Sequence, residues 1–537
     1  MKDIIKNSIE SAIEKLYPEQ KDIVFSVDYA PASIDADFAS NAALALAKKL
    51  GKKPMDIARE IASAAQSLSK GGLAMTIETA PPGFLNFTVP PEIWHEELKR
   101  ILKEQEKYGS SSLGKGKKVN VEFVSANPTG PLTVGHGRGA VIGLVLSNIF
   151  KNLGYKVVRD YYYNDAGLQM KKLGQSVKLS VKRLLGENTA DEFNKEQIDL
   201  YMGAYIGEIA AQSIEQKNLQ TADDTTVEEY ADFAAEIILG WIKNTLNKLG
   251  VGFDNFVRES NQKTKEVLEQ LEKIGIVYEK DGAKWLKNAG GREDRVLVRK
   301  TGEPTYRLPD IAYHLEKVKK YDKVVTILGA DHITQFPDIS YAVEKLGGDS
   351  GRIRVIINQF VTLAGGKKMS TRKAEYVTLD ELIAEVGADV AKFFLAMNSA
   401  NSHMVFDLDL AKDTSEKNPV YKVQYAHARI KSIKAKAGLQ KGKADLELLN
   451  DQGETKLIRE LAKFPEIAGG IADTYNVHHM PHYLLQLAEN FHSFYEKVRV
   501  VSDDADLTSS RLALVEAAQT VFANGLRLMG IKPMNKM

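Results

Sequence analysis

The residues with the clearest chemical potential lie in segment 119–139, which reads VNVEFVSANPTGPLTVGHGRG. Apolar residues among polar neighbours predict a strand, residues 127–131 break it, and the small residues that follow favour a helix start. An apolar stripe over residues 141–150 continues that helix, and Gly154 ends it. We therefore expect His136 at or near a helix N-terminus, where free N–H groups and the helix dipole attract phosphate.

A second segment that could bind phosphate is the basic loop 367–372, KKMSTR. On opposite sides of a sheet crevice, the two segments could hold a triphosphate between them. Taken alone, each has a simpler interpretation, since a G-H-G-R-G cluster is more often a tight turn and a basic loop is more often solvated. Neither G-x-G-x-x-G followed by an acidic residue nor G-x-x-x-x-G-K-[ST] occurs, which argues against dinucleotide and P-loop sites.

Length and composition narrow the class of protein. A chain of 537 residues is expected to form about three domains. Lysine plus arginine number 72 and aspartate plus glutamate 71, so net charge neither supports nor excludes a nucleic-acid partner. The absence of cysteine excludes disulfides, thiol nucleophiles and cysteine-ligated metals. His314, His332, His403 and His427 lack metal-ligand spacing, and no metal site is expected.

The sequence also bears on location. No run of about 18 apolar residues is present, so no transmembrane span is expected. Residues 1–17 are amphipathic and charged throughout, unlike a signal peptide. We therefore predict a cytoplasmic protein without a membrane partner.

Three regions of different pattern must position these residues. Residues 1–110 predict an N-terminal α+β domain, in which residues 81–83 form a turn between two strands. Residues 111–405 alternate strands and helices, which indicates an α/β domain with a parallel sheet and a helical insertion at about 168–275. Residues 406–537 predict an all-α bundle.

Within the α/β region, strands after the opening one are predicted at 156–163, 276–278, 295–298, 323–328 and 353–357. In the other regions, helices are predicted at 40–50, 54–68, 92–108, 419–437, 454–464, 480–498 and 509–528.

Several of these segments resemble a known family. T-V-G-H at 133–136 resembles the H-x-G-H motif of class I aminoacyl-tRNA synthetases, and K-M-S-T-R at 368–372 resembles their K-M-S-K-S loop. Longer segments are similar to the arginyl-tRNA synthetase family specifically: VEFVSANPTGPLTVGHGRGAVIG, YYYNDAGLQM, PTYRLPDIAYH, GADH, NPVYKVQYAHARI, SNAALALAKKL and PPGFLNF. The resemblance covers all three regions.

The resemblance implies a Rossmann-like catalytic domain at 111–405, an N-terminal domain that contacts the tRNA D-loop and an α-helical anticodon-binding domain. It also implies the family's reaction, in which arginine and ATP form enzyme-bound arginyl-adenylate and pyrophosphate, and the arginyl group then passes to the 3′-terminal adenosine of tRNA. The implied partners are ATP, L-arginine and the tRNA specific for arginine. Mg²⁺ is expected with ATP rather than at a dedicated protein site, and a monomer is expected.

On the ATP side, the resemblance implies that Gly135 and His136 contact ATP and that Lys368 neutralises the leaving pyrophosphate. Thr133 stands where the family usually has histidine, and Thr371 where it has a second lysine; a hydroxyl cannot become cationic as imidazole can. Activation is still expected, because in-line attack requires positioning and charge neutralisation. The implied catalytic residues are His136, Lys368 and Thr133, and the implied ATP-binding residues are Thr133, Gly135, His136, Gly137, Lys368, Met369 and Ser370.

On the amino-acid side, a guanidinium calls for carboxylates in bidentate geometry, and an α-ammonium calls for an acceptor. The resemblance implies that Asp310 is the guanidinium partner with Tyr306 beside it, Glu122 a second contact and Asn127 an α-ammonium contact. Pro309 is expected at a first helical position, which would aim Asp310 from a helix start. The implied arginine-binding residues are Glu122, Ser125, Asn127, Tyr306, Asp310 and Gln335.

For tRNA, the resemblance implies contacts from both ends of the chain. Single-stranded anticodon bases suit aromatic stacking, although Tyr425 and Tyr421 by themselves would also fit the core of a bundle helix. Lys422 departs from the family's second tyrosine, so one stacking contact is expected to be lost or replaced by a phosphate contact. The implied tRNA-binding residues are Phe84, Asn86, Tyr425, Ala426 and Met537.

Two other functions remain open on the sequence. A non-catalytic RNA-binding or regulatory relative would keep the fold with a degraded ATP site, and Thr133 and Thr371 are the residues that favour it. Ligation of a different amino acid is disfavoured, because an apolar pocket would not tolerate the unpaired acids Glu122 and Asp310.

Overall fold

The computed structural model describes the chain except for residues 32, 69–74, 188–199, 289–290, 331–333, 365–376, 438–441 and 535–537. The chain divides into two units. Unit 1 contains Met1–Lys103, Lys441–Ala462 and Ser502–Leu514, and unit 2 contains Glu104–Gln440, Lys463–Val501 and Val515–Met537.

The strands of the described residues are β1 Val27–Tyr29, β2 Phe38–Ser40, β3 Thr76–Ala80, β4 Phe84–Thr88, β5 Lys118–Glu122, β6 Lys156–Tyr163, β7 Asn255–Arg258, β8 Val277–Lys280, β9 Ala283–Leu286, β10 Arg295–Val298, β11 Lys323–Gly329, β12 Ile353–Asn358, β13 Val361–Leu363 and β14 Met404–Phe406.

The α-helices of the described residues are α1 Lys2–Leu16, α2 Ala42–Leu50, α3 Pro54–Leu68, α4 Pro91–Glu104, α5 Val134–Asn152, α6 Gly167–Leu184, α7 Ala204–Lys217, α8 Val227–Lys248, α9 Thr264–Lys273, α10 Arg307–Lys320, α11 Phe336–Lys345, α12 Leu379–Val386, α13 Ala388–Ala396, α14 Leu408–Lys412, α15 Pro419–Ala437, α16 Gln452–Ala462, α17 Phe464–Thr474, α18 His479–Lys497 and α19 Ala505–Leu528.

Unit 1 has the α+β character predicted for the N-terminal region. Its antiparallel sheet has the order β1-β2-β4-β3, and α3 packs against α1, α2 and β3. Parts of the predicted C-terminal bundle also belong to this unit, where Arg459 of α16 lies 2.7 Å from the buried carboxylate of Asp37. The local helical pattern predicted these C-terminal helices but carried no information about the unit they join.

Unit 2 is built on a parallel sheet of order β12-β11-β5-β6-β7. In register, Val121 of β5 pairs with Val325 of β11 and with Arg159 of β6. The predicted strands at 156–163, 323–328 and 353–357 are therefore confirmed as members of one parallel sheet. The helix α5 is buried on nearly all faces, because it packs against the sheet and against α12, α13 and α17.

Two predictions for this region are corrected. The predicted strands at 276–278 and 295–298 form a separate antiparallel sheet, β10-β9-β8, rather than joining the parallel one. Its core of Leu271, Leu286 and Leu297 is continuous with α10 and β11. The segment predicted as a helical insertion also contains β7, which pairs with β6 and extends the parallel sheet. Four residues are too few for a period to reveal a strand.

Candidate functional site

The site lies at β5, the point of the parallel sheet where the order of successive strands reverses. Strand β5 has β11 on one side and β6 on the other, and the chain after β5 passes over this edge into α5. In open α/β sheets, the crevice beyond the carboxyl ends of the strands at such a point binds ligands. Two adjoining cavities occupy this position, and we call them the acidic cavity and the α5 cavity.

The turn after β5 is strained. Val124 and Ser125 both have left-handed backbone conformations, with φ of 67° and 44°. Side-chain oxygens hold the turn, because Ser125 Oγ accepts from the amide of Tyr162 at 3.2 Å and donates to Glu122 Oε1 at 3.3 Å. Left-handed non-glycine residues are costly and concentrate at ligand sites.

The acidic cavity has a volume of about 370 Å³. It contains all six residues predicted for arginine binding, which are Glu122, Ser125, Asn127, Tyr306, Asp310 and Gln335. They come from β5 and its turn, from the start of α10 and from the residue before α11. A volume near 300 Å³ or above suits a small ligand.

Glu122 forms a buried ion pair that the sequence did not reveal. Its Oε2 lies 2.7 Å from Nζ of Lys317, and both side chains are almost fully buried. Burial alone would raise the pKa of Glu122, but the charge and hydrogen bond of Lys317 outweigh burial and lower it. Glu122 is therefore ionised, and much of its charge is already offset.

Asp310 lies in the first turn of α10 and lines the acidic cavity. Burial raises the pKa of Asp310 well above its usual range, and the negative charges of Glu259 and Glu122 raise it further. The helix begins at Arg307, so Pro309 is not at the first helical position as predicted. The amide of Asp310 donates to Tyr306 O at 3.2 Å, and this earlier turn places the proline within the helix start, where its missing N–H costs little.

Glu259 is a third carboxyl group on the cavity wall and was missed from the sequence. It follows β7 in a short 3-10 helix, and Tyr162 Oη donates to its Oε2 at 3.3 Å. Burial raises the pKa of Glu259 to about 7. An acid directly after a strand would have been the signal, but this stretch was predicted as part of a helical insertion.

Amide side chains also line the acidic cavity. Asn127 is held from both sides, because its Nδ2 donates to Gln169 Oε1 at 2.6 Å and its Oδ1 accepts from the amide of Asn164 at 2.9 Å. Among the described residues, Gln335 Oε1 is buried without a hydrogen-bond partner. The cavity thus presents carboxyl groups together with an unsatisfied acceptor, a combination that suits a ligand with several N–H donors.

The α5 cavity adjoins the acidic cavity and has a volume of about 700 Å³. Of the predicted ATP-binding residues, Thr133, Gly135 and His136 line it. Gly137 does not: it is buried, and a Cβ there would lie 2.5 Å from Leu379. Gly137 therefore lets α12 approach α5. Lys368, Met369, Ser370 and Thr371 lie outside the described residues. The structure describes the chain up to Ala364, just after β13, and again from residue 377 onward.

Thr133 is the N-cap of α5. Its Oγ1 accepts from the amide of His136, and its own amide donates to His136 Nδ1 at 3.1 Å. These reciprocal bonds form a capping box. Because Nδ1 accepts the Thr133 amide, a neutral His136 carries its proton on Nε2 and is a donor there. Threonine thus orients His136 at the helix start, a role that its departure from the family motif did not suggest.

Arg138, one turn into α5, connects this helix to the segments that follow β12 and α13. Its fully buried guanidinium donates to the carbonyl oxygens of Ser399, Ser402 and Gln359 at 2.6, 2.9 and 3.1 Å. Nearby, Asn358 Nδ2 donates to Gly135 O at 3.0 Å. Burial lowers the pKa of Arg138 to about 10, so it remains charged at neutral pH. The start of α5 is thereby fixed to the end of β12.

The residues predicted to contact RNA lie in both units. In unit 1, Phe84 and Asn86 share a face of β4; Phe84 is exposed, whereas Asn86 is buried with an Oδ1 that has no partner among the described residues. In unit 2, the rings of Tyr421 and Tyr425 stack at 6.2 Å with an angle of 8°, and His492 stacks on Tyr425 at 5.8 Å.

Three further placements bear on these predictions. Ala426 is fully buried, so its side chain offers no surface to a ligand. Lys422 pairs with Glu489 at 2.9 Å, so its ammonium group has a protein partner. Met537 lies outside the described residues.

Two searches of the described residues gave no candidates. No group of three or more histidine, aspartate or glutamate side chains there is arranged to hold a metal ion. No helix there is long and apolar enough to cross a membrane.

The parallel sheet, its switch-point cavities and the capped helix α5 are those of a class I aminoacyl-tRNA synthetase, and residues 97–431 match the family model described as tRNA synthetases class I (R), catalytic domain. Residues 3–89 match the arginyl tRNA synthetase N terminal domain and residues 423–537 the DALR anticodon binding domain. The chain belongs to the arginyl-tRNA synthetase family.

Individual relatives agree with this assignment. An arginine–tRNA ligase of Desulfotalea psychrophila is 42% identical over 515 residues, covering 92% of this chain and 91% of the relative. One of Salinibacter ruber is 40% identical over 562 residues and covers 100% of both chains. Among solved structures, the Thermus thermophilus arginyl-tRNA synthetase has a TM-score of 0.79 at 23% identity, with 100% of both chains covered, and so shares the fold.

Proposed function

We propose that this chain attaches L-arginine to its tRNA in two steps. Arginine and ATP first form arginyl-adenylate with release of pyrophosphate, and a ribose hydroxyl of the tRNA 3′-terminal adenosine then attacks the arginyl carbonyl, releasing AMP. The observation that carries this proposal is the acidic cavity, where three carboxyl groups converge next to a phosphate-attracting helix start.

The guanidinium of arginine is assigned to Asp310 and Glu259, with Glu122 behind them. Lys317 already offsets the charge of Glu122, so the other two carboxyl groups supply the charge that a bound cation requires. Charge-assisted and bidentate contacts of this kind are the strong ones for guanidinium. Gln335 Oε1 and Asn127 are assigned to the α-ammonium, and Tyr306 and Ser125 complete the binding set.

ATP is assigned to the α5 cavity. His136 donates from Nε2 to a phosphate oxygen, the amides at the start of α5 add their dipoles, and Thr133 fixes the imidazole. Lys368, with Met369 and Ser370, is proposed to neutralise the pyrophosphate. Activation then follows from positioning and charge neutralisation as the arginine carboxylate attacks the α-phosphorus in line.

Mg²⁺ is proposed to arrive with the ATP phosphates rather than at a dedicated protein site. It would supply further charge neutralisation there. The tRNA is proposed to contact Phe84 and Asn86 through its D-loop and Tyr425 and Met537 through its anticodon, within domains 1–110 and 406–537, whereas the buried Ala426 is left out of the contact set. A cytoplasmic monomer is proposed as the working form, and gel filtration tests the oligomeric state.

A non-catalytic relative is the weaker alternative. Its sequence support was the pair of threonines, and Thr133 is accounted for as the cap that orients His136.

The deciding experiment is ATP–pyrophosphate exchange and aminoacylation with purified protein, tRNA and arginine, with lysine and other amino acids in parallel. Exchange that depends on arginine is expected. No exchange in the presence of tRNA would contradict the enzyme, and exchange with another amino acid would contradict the arginine assignment.

A further inference from the structure

A network of charged side chains surrounds Asp338, a residue that the proposed function does not use. The carboxylate of Asp338 is almost fully buried in the first turn of α11. Guanidinium nitrogens of Arg292, Arg295 and Arg307 lie 3.6, 3.7 and 3.5 Å from its oxygens. Asn288 Nδ2 donates to Asp338 Oδ1 at 3.0 Å. One carboxylate therefore holds three cationic groups together.

The network joins three segments of unit 2. Asn288 follows β9, Arg292 lies in the same connection, and Arg295 begins β10, so the antiparallel sheet and its loop supply three of the partners. Arg307 is the first residue of α10, and Asp338 is the third residue of α11. The starts of the two helices are thus linked through a single carboxylate.

Residues assigned to arginine binding stand next to this network along both helices. Tyr306 directly precedes Arg307, whose guanidinium carbon lies 5.0 Å from the centre of the Tyr306 ring, and Asp310 is in the same first turn. Gln335 stands three residues before Asp338. Tyr306, Asp310 and Gln335 all line the acidic cavity. A shift of Arg307 relative to Asp338 would therefore change the separation of these binding groups.

The network acts through charge more than through directional hydrogen bonds. Among the described residues, Asp338 Oδ2 and the Nε atoms of Arg295 and Arg307 are buried without a hydrogen-bond partner. Opposite charges at such separations still attract strongly where burial limits screening by water. Without the negative charge, the guanidinium groups would be left to repel one another. The position of the α10 start should therefore respond to the charge of residue 338 more than to its shape.

We propose that Asp338 is a positioning residue for arginine binding. Its charge holds Arg307 and with it the start of α10, which keeps Tyr306 and Asp310 at a fixed separation from Gln335 on the acidic cavity. Asp338 itself does not contact arginine. This assignment rests on the proposed function, because it requires arginine to be the ligand of that cavity.

The test compares variants that keep or remove each charge, by steady-state aminoacylation and by calorimetric titration with arginine. Asp338→Asn keeps the shape of the side chain and removes its charge. Displacing binding groups by about 1 Å costs roughly a hundredfold, so a smaller displacement is expected to raise the Michaelis constant for arginine about tenfold. The constant for ATP should not change. Arg307→Met should also raise the arginine constant, whereas Arg307→Lys retains the charge and should restore it.

The double variant Asp338→Asn with Arg307→Met asks whether Asp338 acts through Arg307. Its arginine constant is expected to be no higher than that of the weaker-binding single variant, because the second change removes one of the repelling cations. If the effects of the two single changes multiply instead, Asp338 does not act through Arg307 and the proposal is wrong.

Asp37→Asn is the matched control, since Asp37 is another buried aspartate, paired with Arg459 in unit 1. It should lower the temperature of thermal unfolding without changing the arginine constant. The same result for Asp338→Asn would make the network purely structural and overturn the proposal, as would equal rises in the constants for arginine and ATP.

If Asp338→Asn does not fold, the two Arg307 variants decide, and equal arginine constants in Arg307→Met and Arg307→Lys would contradict the role of charge. If the wild type charges tRNA with arginine while none of these variants alters the arginine constant, the proposed function stands and this assignment alone fails.

Discussion

At the scale of single residues, the acidic cavity contains carboxyl groups in two electrostatic states. Glu122 is ionised by its pairing with Lys317. Burial raises the pKa of both Asp310 and Glu259; the charges of Glu259 and Glu122 raise that of Asp310 further, and the charge of Asp165 raises that of Glu259. Raised pKa values of this kind concentrate at functional sites, because several buried carboxyl groups are unfavourable in their ionised form until a cation binds between them.

Asp310→Asn is expected to raise the Michaelis constant for arginine strongly. Removing one partner of a desolvated charge pair costs about 2–5 kcal/mol, which is roughly a 25-fold or larger change in affinity by the usual factor of ten per ~1.4 kcal/mol. Steady-state aminoacylation at saturating ATP and tRNA measures it. Asp56→Asn changes another acid in the first turn of a helix, exposed on α3, and should leave the constant unaltered. An unchanged constant in the Asp310 variant would refute the guanidinium contact.

Arginine affinity is expected to rise as the pH passes through about 7. Below the pKa of Glu259, which burial raises to about 7, the carboxyl group is protonated and neutral, and the guanidinium must expel that proton to pair with it. Asp310 and Glu122 also line the cavity, Lys317 pairs with Glu122, and the charge of Asp165 raises the pKa of Glu259 further.

Calorimetry in buffers of different ionisation enthalpy should therefore detect proton release on arginine binding near pH 6.5, and Glu259→Gln should reduce it. The same release from wild type and variant would remove Glu259 from the contact.

At the scale of elements, the helix start of α5 depends on one threonine. Thr133→Ala removes the cap and is expected to lower stability by about 1 kcal/mol, and to slow turnover further because His136 loses its orientation. Thermal unfolding and tRNA-dependent exchange measure the two effects. Thr226 caps α8 with the same capping box, so Thr226→Ala is the matched control and should lose stability without losing turnover. Equal kinetic effects in both variants would mean that the cap at Thr133 has no catalytic consequence.

A buried ion pair joins α10 to β5. Lys317→Met leaves Glu122 buried and uncompensated, which is expected to cost about 3–5 kcal/mol in the free energy of unfolding. Urea denaturation measures the loss. The double variant Lys317→Met with Glu122→Gln removes both charges and should recover most of the stability while leaving arginine binding impaired. If the double variant is as unstable as the single one, packing rather than charge accounts for the loss.

At the scale of the whole molecule, RNA contacts are expected far from the reacting atoms along the chain. Tyr425→Ala removes the middle ring of the Tyr421, Tyr425 and His492 stack and is expected to weaken tRNA binding by about 1–3 kcal/mol. The Michaelis constant for tRNA should rise while that for arginine stays constant. Tyr278→Ala, at an exposed tyrosine of the antiparallel sheet, serves as the control for loss of a tyrosine, and a change in the arginine constant instead would indicate a structural role for Tyr425.

The sequence by itself determined the local features of this protein. The strand, break and helix start at 119–139 follow from residue types within a few positions of one another, as do β6, α3 and α15. The resemblance of several long segments, found in order along the chain, determined the family and named six of the residues that line the acidic cavity. These signals are local because the spacing of apolar residues and the backbone conformations that each residue favours can be read within one or two turns.

Tertiary structure alone decided which distant groups meet. The ion pair of Lys317 with Glu122, the arrival of Glu259 at the cavity and the sorting of β8 and β10 into their own sheet all depend on pairings between segments remote in sequence. The hydrophobic periodicity of the sequence does not reveal such pairings. They depend on which buried surfaces and charges complement one another once the chain is compact. Thr133 shows the same division: its identity was visible as a departure from a motif, and its role became visible only when the helix it caps was in place.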